Sequence, residues 1–475
     1  MRRIFVAALF ILLALSALSA SAQTAPFAIG GTIVTPTGTR DHAWLIVRNG
    51  KSAAIADARP ADPTMKVVDT SDLIFPGFID LHNHPMYAVF PRWKPKRRFA
   101  NRYEWRRDPE YTKLVGGPGH ELQSDESTFC DVAEYAEVQA LLGGTTAITG
   151  ISPRKANPPV PSCVNGLVRN LDWYSGLYAP GQSERESNLL GITPGDLDPH
   201  VEEDTRNRLR NFDLDLVTIH VAEGSPSDPE SSGEFTSVWT HALLQPRVAI
   251  IHGTALGSPQ FHQMRLAGVG LIWSPRSNLE LYGTTTDVLA AFRAGVTIAL
   301  APDWAVTGSL NTLGEISYAN NYSQAKLDGL FSPKQLFEMA TAVPAMLAGV
   351  EGRIGSLQPG MEADFFVVHR KVVSPYESLA NASPQDVQLV VIAGTPIYGR
   401  ERLLKDIDPN LSLEKFSICG VGRALNSAAL PARPFSTVVT RPRSKMAQLG
   451  TELGPLADCA DASYPVFGPA QSTPQ

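Results

Sequence analysis

The stretch LVTIHVAEG, Leu216 to Gly224, ends an apolar run with an imidazole, His220, and a carboxylate, Glu223, three residues further on. Alone, a histidine after a buried strand is more often a satisfied core residue than a ligand. Three other apolar runs end in the same chemistry: GFIDLHNHP in His82 and His84, AIIHGTAL in His252, and IALAPDW in Asp303. His82 and His84 alternate along a strand, so both point to one side. Imidazoles and carboxylates gathered at the ends of four strands are the ligands that hold a borderline divalent metal while leaving a position open for water. In a regular strand, residues i and i+3 face opposite ways, so His220 and Glu223 address one site only if the strand stops near Val221. Gly224, followed by SPSDPESSG, supplies that stop. The remaining histidines, at 42, 120, 200, 241, 262 and 369, fall in loops, helices or small sheets and show no such pattern.

Positioning these groups requires strands whose ends converge. Apolar strand-like runs alternate with helix-like ones through the middle of the chain, which predicts an α/β fold with a parallel sheet. Seven runs are distinct, and an eighth, around NLLGITPG, is poorly defined. That number fits a (β/α)8 TIM-like barrel over 76–349, whose active site lies at the C-terminal ends of its strands. Short β-type runs flank it on both sides, over 26–75 and 350–400. The Pro- and Ser-containing tail after Leu430 reads as extended or loosely ordered.

The chain has 475 residues, 43% of them hydrophobic and 19% charged, as expected of a globular protein. A net charge of -6 gives no reason to expect nucleic acid as a partner. The basic run RWKPKRRFANRYEWRR, Arg92 to Arg107, reads as a solvated loop or, with its interleaved aromatics, as a lid over a pocket. Residues 1–22 read as a secretory signal peptide with an A-x-A cleavage site, implying an exported, periplasmic or secreted protein with no membrane association after cleavage. In an oxidising compartment Cys130, Cys163, Cys419 and Cys459 would pair, and Cys419 with Cys459 would clip the C-terminal extension, 401–475.

The set H-x-H after PGFID, H-x-x-E, HGTAL, SPRSNLELYG and the late Asp resembles the amidohydrolase superfamily, in the branch containing cytosine deaminase, methylthioadenosine deaminase and the triazine hydrolases. GRIGSLQPGMEADFFVV is similar to the segment with which that branch closes its small β-sandwich, which implies a composite sandwich from 26–75 and 350–400. The resemblance implies His82, His84, His220 and Asp303 as metal ligands, Glu223 as proton shuttle, and His252 beside the attacking water. Two-metal members bridge their ions with a lysine on the fourth strand, yet no lysine lies between Lys155 and Lys326, so one divalent ion is expected, Zn or alternatively Fe or Mn. Such an ion lowers the pKa of its water toward roughly 7. Asp303 would also accept a proton from that water, so it counts with Glu223 and His252 among the catalytic groups.

Arg276, Asn278 and Trp304 are the expected contacts to a small, heterocyclic substrate, with loop capping as the alternative for Asn278 and packing for Trp304. The implied reaction is hydrolysis of a non-peptide C–N bond, by deamination of a heterocyclic amine. Hydrolysis of a cyclic, imidazolone-like or other amide is the second reading, and a noncatalytic periplasmic metal-binding protein the third. A homo-oligomer is compatible with all three.

Overall fold

The computed structural model describes residues 25–124, 126–151, 163, 166–172, 177, 189–192, 199–211, 213–430, 433–459 and 466–467. The proposed signal peptide, 1–22, and Lys155 lie outside them.

Eight parallel strands form among the described residues, as the alternating pattern predicts. Five make one sheet, in the order Ile298–Leu300, Gly270–Trp273, Val248–His252, Leu216–Val221, Leu189–Ile192. Phe78–Asp80, Thr145–Ile148 and Arg169–Asn170 make another. The poorly defined run is the strand Leu189–Ile192. The outer strands of the two sheets meet just past their C-terminal ends, where the Asp303 amide donates to His82 O at 3.0 Å and the His84 amide to Asp303 O at 2.8 Å.

Period-two alternation divides each strand between two cores. Val248, Ile250, Leu271, Trp273, Ile298 and Leu300 pack outward under the helices. Ala249, Ile251, Ile272 and Ala299 pack inward with Ile79, Leu81 and Ala147. Both faces are buried, which is why these strands read as continuous apolar runs.

The flanking segments meet in one ten-stranded sheet. Lys66–Pro76 pairs with Phe27–Thr35 on one side and with Phe365–Val368 on the other. Beyond Phe365–Val368 the order runs through Val387–Ile392, Thr395–Gly399, Val421–Asn426 and Leu413–Ile418 to Val466–Phe467. The segment after 400 is therefore no appendage to this sheet, because three of its strands extend it.

The tail after Leu430, expected to be extended or loosely ordered, contains the helix Phe435–Gln448. Phe435, Val438, Val439, Pro442 and Met446 form its buried face at helical spacing, and that packing outweighs an internal proline. Disulfides join Cys419 to Cys459, as expected, and Cys130 to Cys163. Among the described residues no helix is long and apolar enough to cross a membrane.

Candidate metal centre and active site

The strand Leu216–Val221 sends Val217, Ile219 and Val221 outward, so His220 faces the interior. Strict alternation would then turn Glu223 away. Instead Ala222 adopts a left-handed conformation, φ 56°, and the chain reverses its facing in one step. His252 poses the same problem, since it shares parity with the outward Val248 and Ile250. Its own φ of 68° brings its ring within 4.8 Å of the His82 ring, centroid to centroid. Asp303 is left-handed too, at φ 70°. Three non-glycine residues in this region, all at strand ends facing one cavity, are strain held in place by the surrounding packing.

The cavity measures about 360 Å³ and is lined by His84, His220, Glu223, His252, Asp303 and Trp304, together with Tyr87, Trp105, Arg106 and Tyr111. Asp303 Oδ1 lies 3.2 Å from His82 Nε2 and 3.4 Å from His84 Nε2. The ring centroids of His82 and His220 are 5.0 Å apart, and those of His84 and His220 5.5 Å. Ligating atoms of His82, His84 and His220, and of His82, His252 and Asp303, fall within 4.8 Å of one another. Two ring nitrogens here, His82 Nε2 and His220 Nδ1, are buried with no hydrogen-bond partner. Orphaned imidazole nitrogens that converge on a carboxylate fit a divalent cation. Burial holds His84 down to about 4, and holds His220 and His252 far below the ordinary imidazole value, with His82 adding to the effect at all three. The rings are therefore neutral, the form that binds a metal.

Behind the first ring of groups lies a chain of hydrogen bonds that runs from Trp273 to His252. Trp273 Nε1, which can only donate, gives to Thr285 Oγ1 at 2.9 Å. Thr285 gives its own hydrogen to Asn278 Oδ1, at 3.2 Å, which satisfies the hydroxyl. This orients the Asn278 amide so that Nδ2 donates to His252 Nδ1, at 2.9 Å. His252 thus carries its proton on Nε2, which points toward Glu223 Oε2 at 3.7 Å. Ser274 Oγ lies 2.9 Å from His82 Nδ1, placed to accept the proton of that nitrogen and leave Nε2 free to ligate.

Glu223 is buried, and burial raises its carboxyl to about 7 against the pull of the Arg102 charge. Arg102, itself buried, pairs with Glu234 at 2.8 Å and donates to the His220 carbonyl at 3.0 Å, while its amide donates to the Glu223 carbonyl at 3.2 Å. Tyr282 Oη donates to Glu223 Oε1 at 2.5 Å and accepts from Trp105 Nε1 at 2.8 Å.

The structure brings His82, His84, His220, Glu223, His252, Asp303 and Trp304 together. It does not bring Arg276 or Asn278 to the cavity wall. Asn278 is spent on His252, one layer back. Arg276 lies 3.4 Å from Asp458 of the C-terminal segment, which also binds Arg92 at 2.8 Å. The basic, aromatic run is a wall of the cavity. Trp105 stands 5.3 Å from Trp304, centroid to centroid, and Tyr111 4.9 Å from Trp105. Ser274, Tyr282 and Thr285 escaped the sequence reading, because a hydroxyl that serves a ligand leaves no spacing signature.

Residues 216–397 match the model of the amidohydrolase family. The 5-methylthioadenosine/S-adenosylhomocysteine deaminase of Desulforudis audaxviator is 30% identical over 397 residues, 76% of this chain and 88% of that protein. The chain belongs to the amidohydrolase family. The protein of the same name from Syntrophobacter fumaroxidans is 26% identical over 79% of this amidohydrolase and 93% of its own length. Among solved structures, a zinc-bound adenosine deaminase from Xanthomonas campestris aligns over 90% of the amidohydrolase and 98% of its own chain, with TM-score 0.68 and 19% identity. Zinc-bound atrazine chlorohydrolase from Arthrobacter aurescens aligns over 88% and 99%, with TM-score 0.63 and 15% identity. These likenesses carry the TIM-like barrel. Membership makes the amidohydrolase a hydrolase of C–N bonds, and the imidazole–carboxylate cluster makes its centre one for a divalent metal.

Proposed function

We propose that this amidohydrolase releases ammonia from a heterocyclic amine. The observation that carries the reading is Glu223, a buried carboxyl raised to about 7, set beside His84, His220, His252 and Asp303 in one cavity. A purely structural metal site closes its coordination sphere and has no use for such a group. Relatives named as deaminases support the same reading.

His82, His84, His220 and Asp303 would hold the ion, zinc by preference. When bound, it supplies a water acidified to react near neutral pH. Glu223 holds a proton on the cavity side and delivers it to a ring nitrogen or to the departing amine, work of about 10²–10⁴-fold. His252 offers Nε2–H to the oxygen that develops charge. Asp303, kept ionised by the imidazoles around it in spite of burial, accepts the proton that the water gives up. Trp105, Tyr111 and Trp304 offer faces for a flat ring and exclude water from it.

We also propose a closed (β/α)8 barrel over 76–349, a composite β-sandwich from 26–75 and 350–400, and export directed by residues 1–22. The reading is tested by loading the protein with Zn²⁺ and screening adenine nucleosides and aminotriazines for ammonia. Release that disappears in Glu223→Gln supports it. Hydrolysis without ammonia moves the reaction to cyclic amides.

A further inference from the structure

Glu223 has two oxygens, and a proton shuttle works only if the proton sits on the one facing the substrate. The described hydrogen bonds favour one choice, because it alone gives the Tyr282 hydroxyl hydrogen a partner. An indole N–H can only donate, so Trp105 Nε1 gives to Tyr282 Oη at 2.8 Å. The phenol has a single hydrogen, and with its oxygen accepting from Trp105, that hydrogen goes to Glu223 Oε1 at 2.5 Å. Burial, reinforced by the neighbouring Glu223 carboxyl, keeps the phenol protonated well above neutral pH. Oε1 is thereby committed as an acceptor.

We propose that Tyr282 and Trp105 are positioning residues that confine the Glu223 proton to Oε2, the oxygen turned toward His252. The proposal rests on the reading of Glu223 as the shuttle and says how the shuttle is aimed. Oε2 lies 3.7 Å from His252 Nε2. Tyr282 ends the helix Pro275–Tyr282, one turn beyond Asn278, which fixes the His252 proton. One helix face thus orients both proton-bearing groups, at i and i+4. Trp105 comes from the segment after His84 and is also part of the cavity wall. Aiming the proton therefore depends on that segment being packed in place.

The test uses zinc-loaded wild type, Tyr282→Phe, Trp105→Phe and the double variant, in infrared difference spectra titrated downward from pH 8 until the Glu223 carbonyl stretch reaches full amplitude. Trp105→Phe keeps an aromatic wall and removes only the donor. The Glu223 carbonyl stretch is the band absent from Glu223→Gln. It should rise in frequency in Tyr282→Phe and shift less in Trp105→Phe. In the double variant it should match Tyr282→Phe alone, because the tryptophan acts only through the tyrosine. Where ammonia release is measurable, Tyr282→Phe should lower kcat on the order of tenfold with KM within about twofold. A band indifferent to Tyr282→Phe, additive shifts in the double variant, or no Glu223 band at any pH at which the fold survives overturns the proposal. Retained turnover in Glu223→Gln would instead remove the shuttle reading and leave the infrared result as a statement about hydrogen bonding alone.

Discussion

Asn278 Nδ2 lies 2.9 Å from His252 Nδ1 and, through the Trp273–Thr285 relay, can only be a donor there. The imidazole is fixed as the Nε2–H tautomer without any contact between Asn278 and the cavity.

Changing that donor into an acceptor should undo the arrangement. Asn278→Asp puts a carboxylate against Nδ1, favouring a proton on that nitrogen and a charged ring. Turnover should fall about 10–100-fold with metal retained, as for other groups that orient an active-site ring. Nitrogen NMR of labelled histidine should show Nδ1 protonated; an unchanged tautomer would refute the relay.

Metal occupancy separates ligands from their neighbours. Plasma mass spectrometry should find about one ion per wild-type chain and a near-complete loss in His220→Ala. Glu223→Gln should retain the ion while losing about 10²–10⁴-fold in rate. Two ions per wild-type chain would require a bridging ligand other than lysine.

Glu137 gives a pH dependence remote from the site. It is buried on the helix Glu126–Leu142, and burial lifts its carboxyl from the ordinary 4.5 to about 8, against hydrogen bonds from the Leu167 and Val168 amides. Below pH 4.5 the folded and unfolded chains are both protonated there, and the group is neutral in its effect. Between 4.5 and 8 the unfolded chain gives up the proton first, so stability declines by up to about 1.4 kcal/mol per pH unit and levels off above 8. Glu137→Gln removes this decline. The stability difference between variant and wild type, from urea melts at pH 4.5 and pH 8, should grow in favour of the variant; a constant difference would contradict the raised value.

The two disulfides close loops with sequence separations of 33 and 40. Chain entropy assigns each about 3–4 kcal/mol. Thermal melts should drop on reduction and in Cys130→Ser. Cys419→Ser should in addition loosen the segment carrying Asp458, exposing Arg92 and Arg276 to faster hydrogen exchange.

Much of the metal centre was legible because its groups sit where apolar runs stop. His82, His84, His220, His252 and Asp303 each lie at or just past the end of an apolar run, and eight strands followed from the alternation of runs. What parity alone could not give was the facing of Glu223 and His252, since it depends on left-handed backbone at Ala222 and at His252 itself, and neither residue type announces it. Asn278 and Arg276 were sought at the substrate because they follow a strand end. Helix geometry from Pro275 instead turns Asn278 into the protein, and Arg276 meets a carboxylate from a segment 182 residues away. The helix Phe435–Gln448 was masked by Pro442 and by the prolines before it, although its apolar spacing was available to be counted.

In the large sheet the strand Lys66–Pro76 has one neighbour made before it and another, Phe365–Val368, made about 290 residues after it. A ribosome adding about 5–20 residues per second leaves that apolar edge unpaired for roughly 15–60 s. Through that interval the nascent chain presents a strand edge able to recruit another copy, so its yield in a cell depends on the factors that shield unfinished chains as much as on the stability of the finished fold.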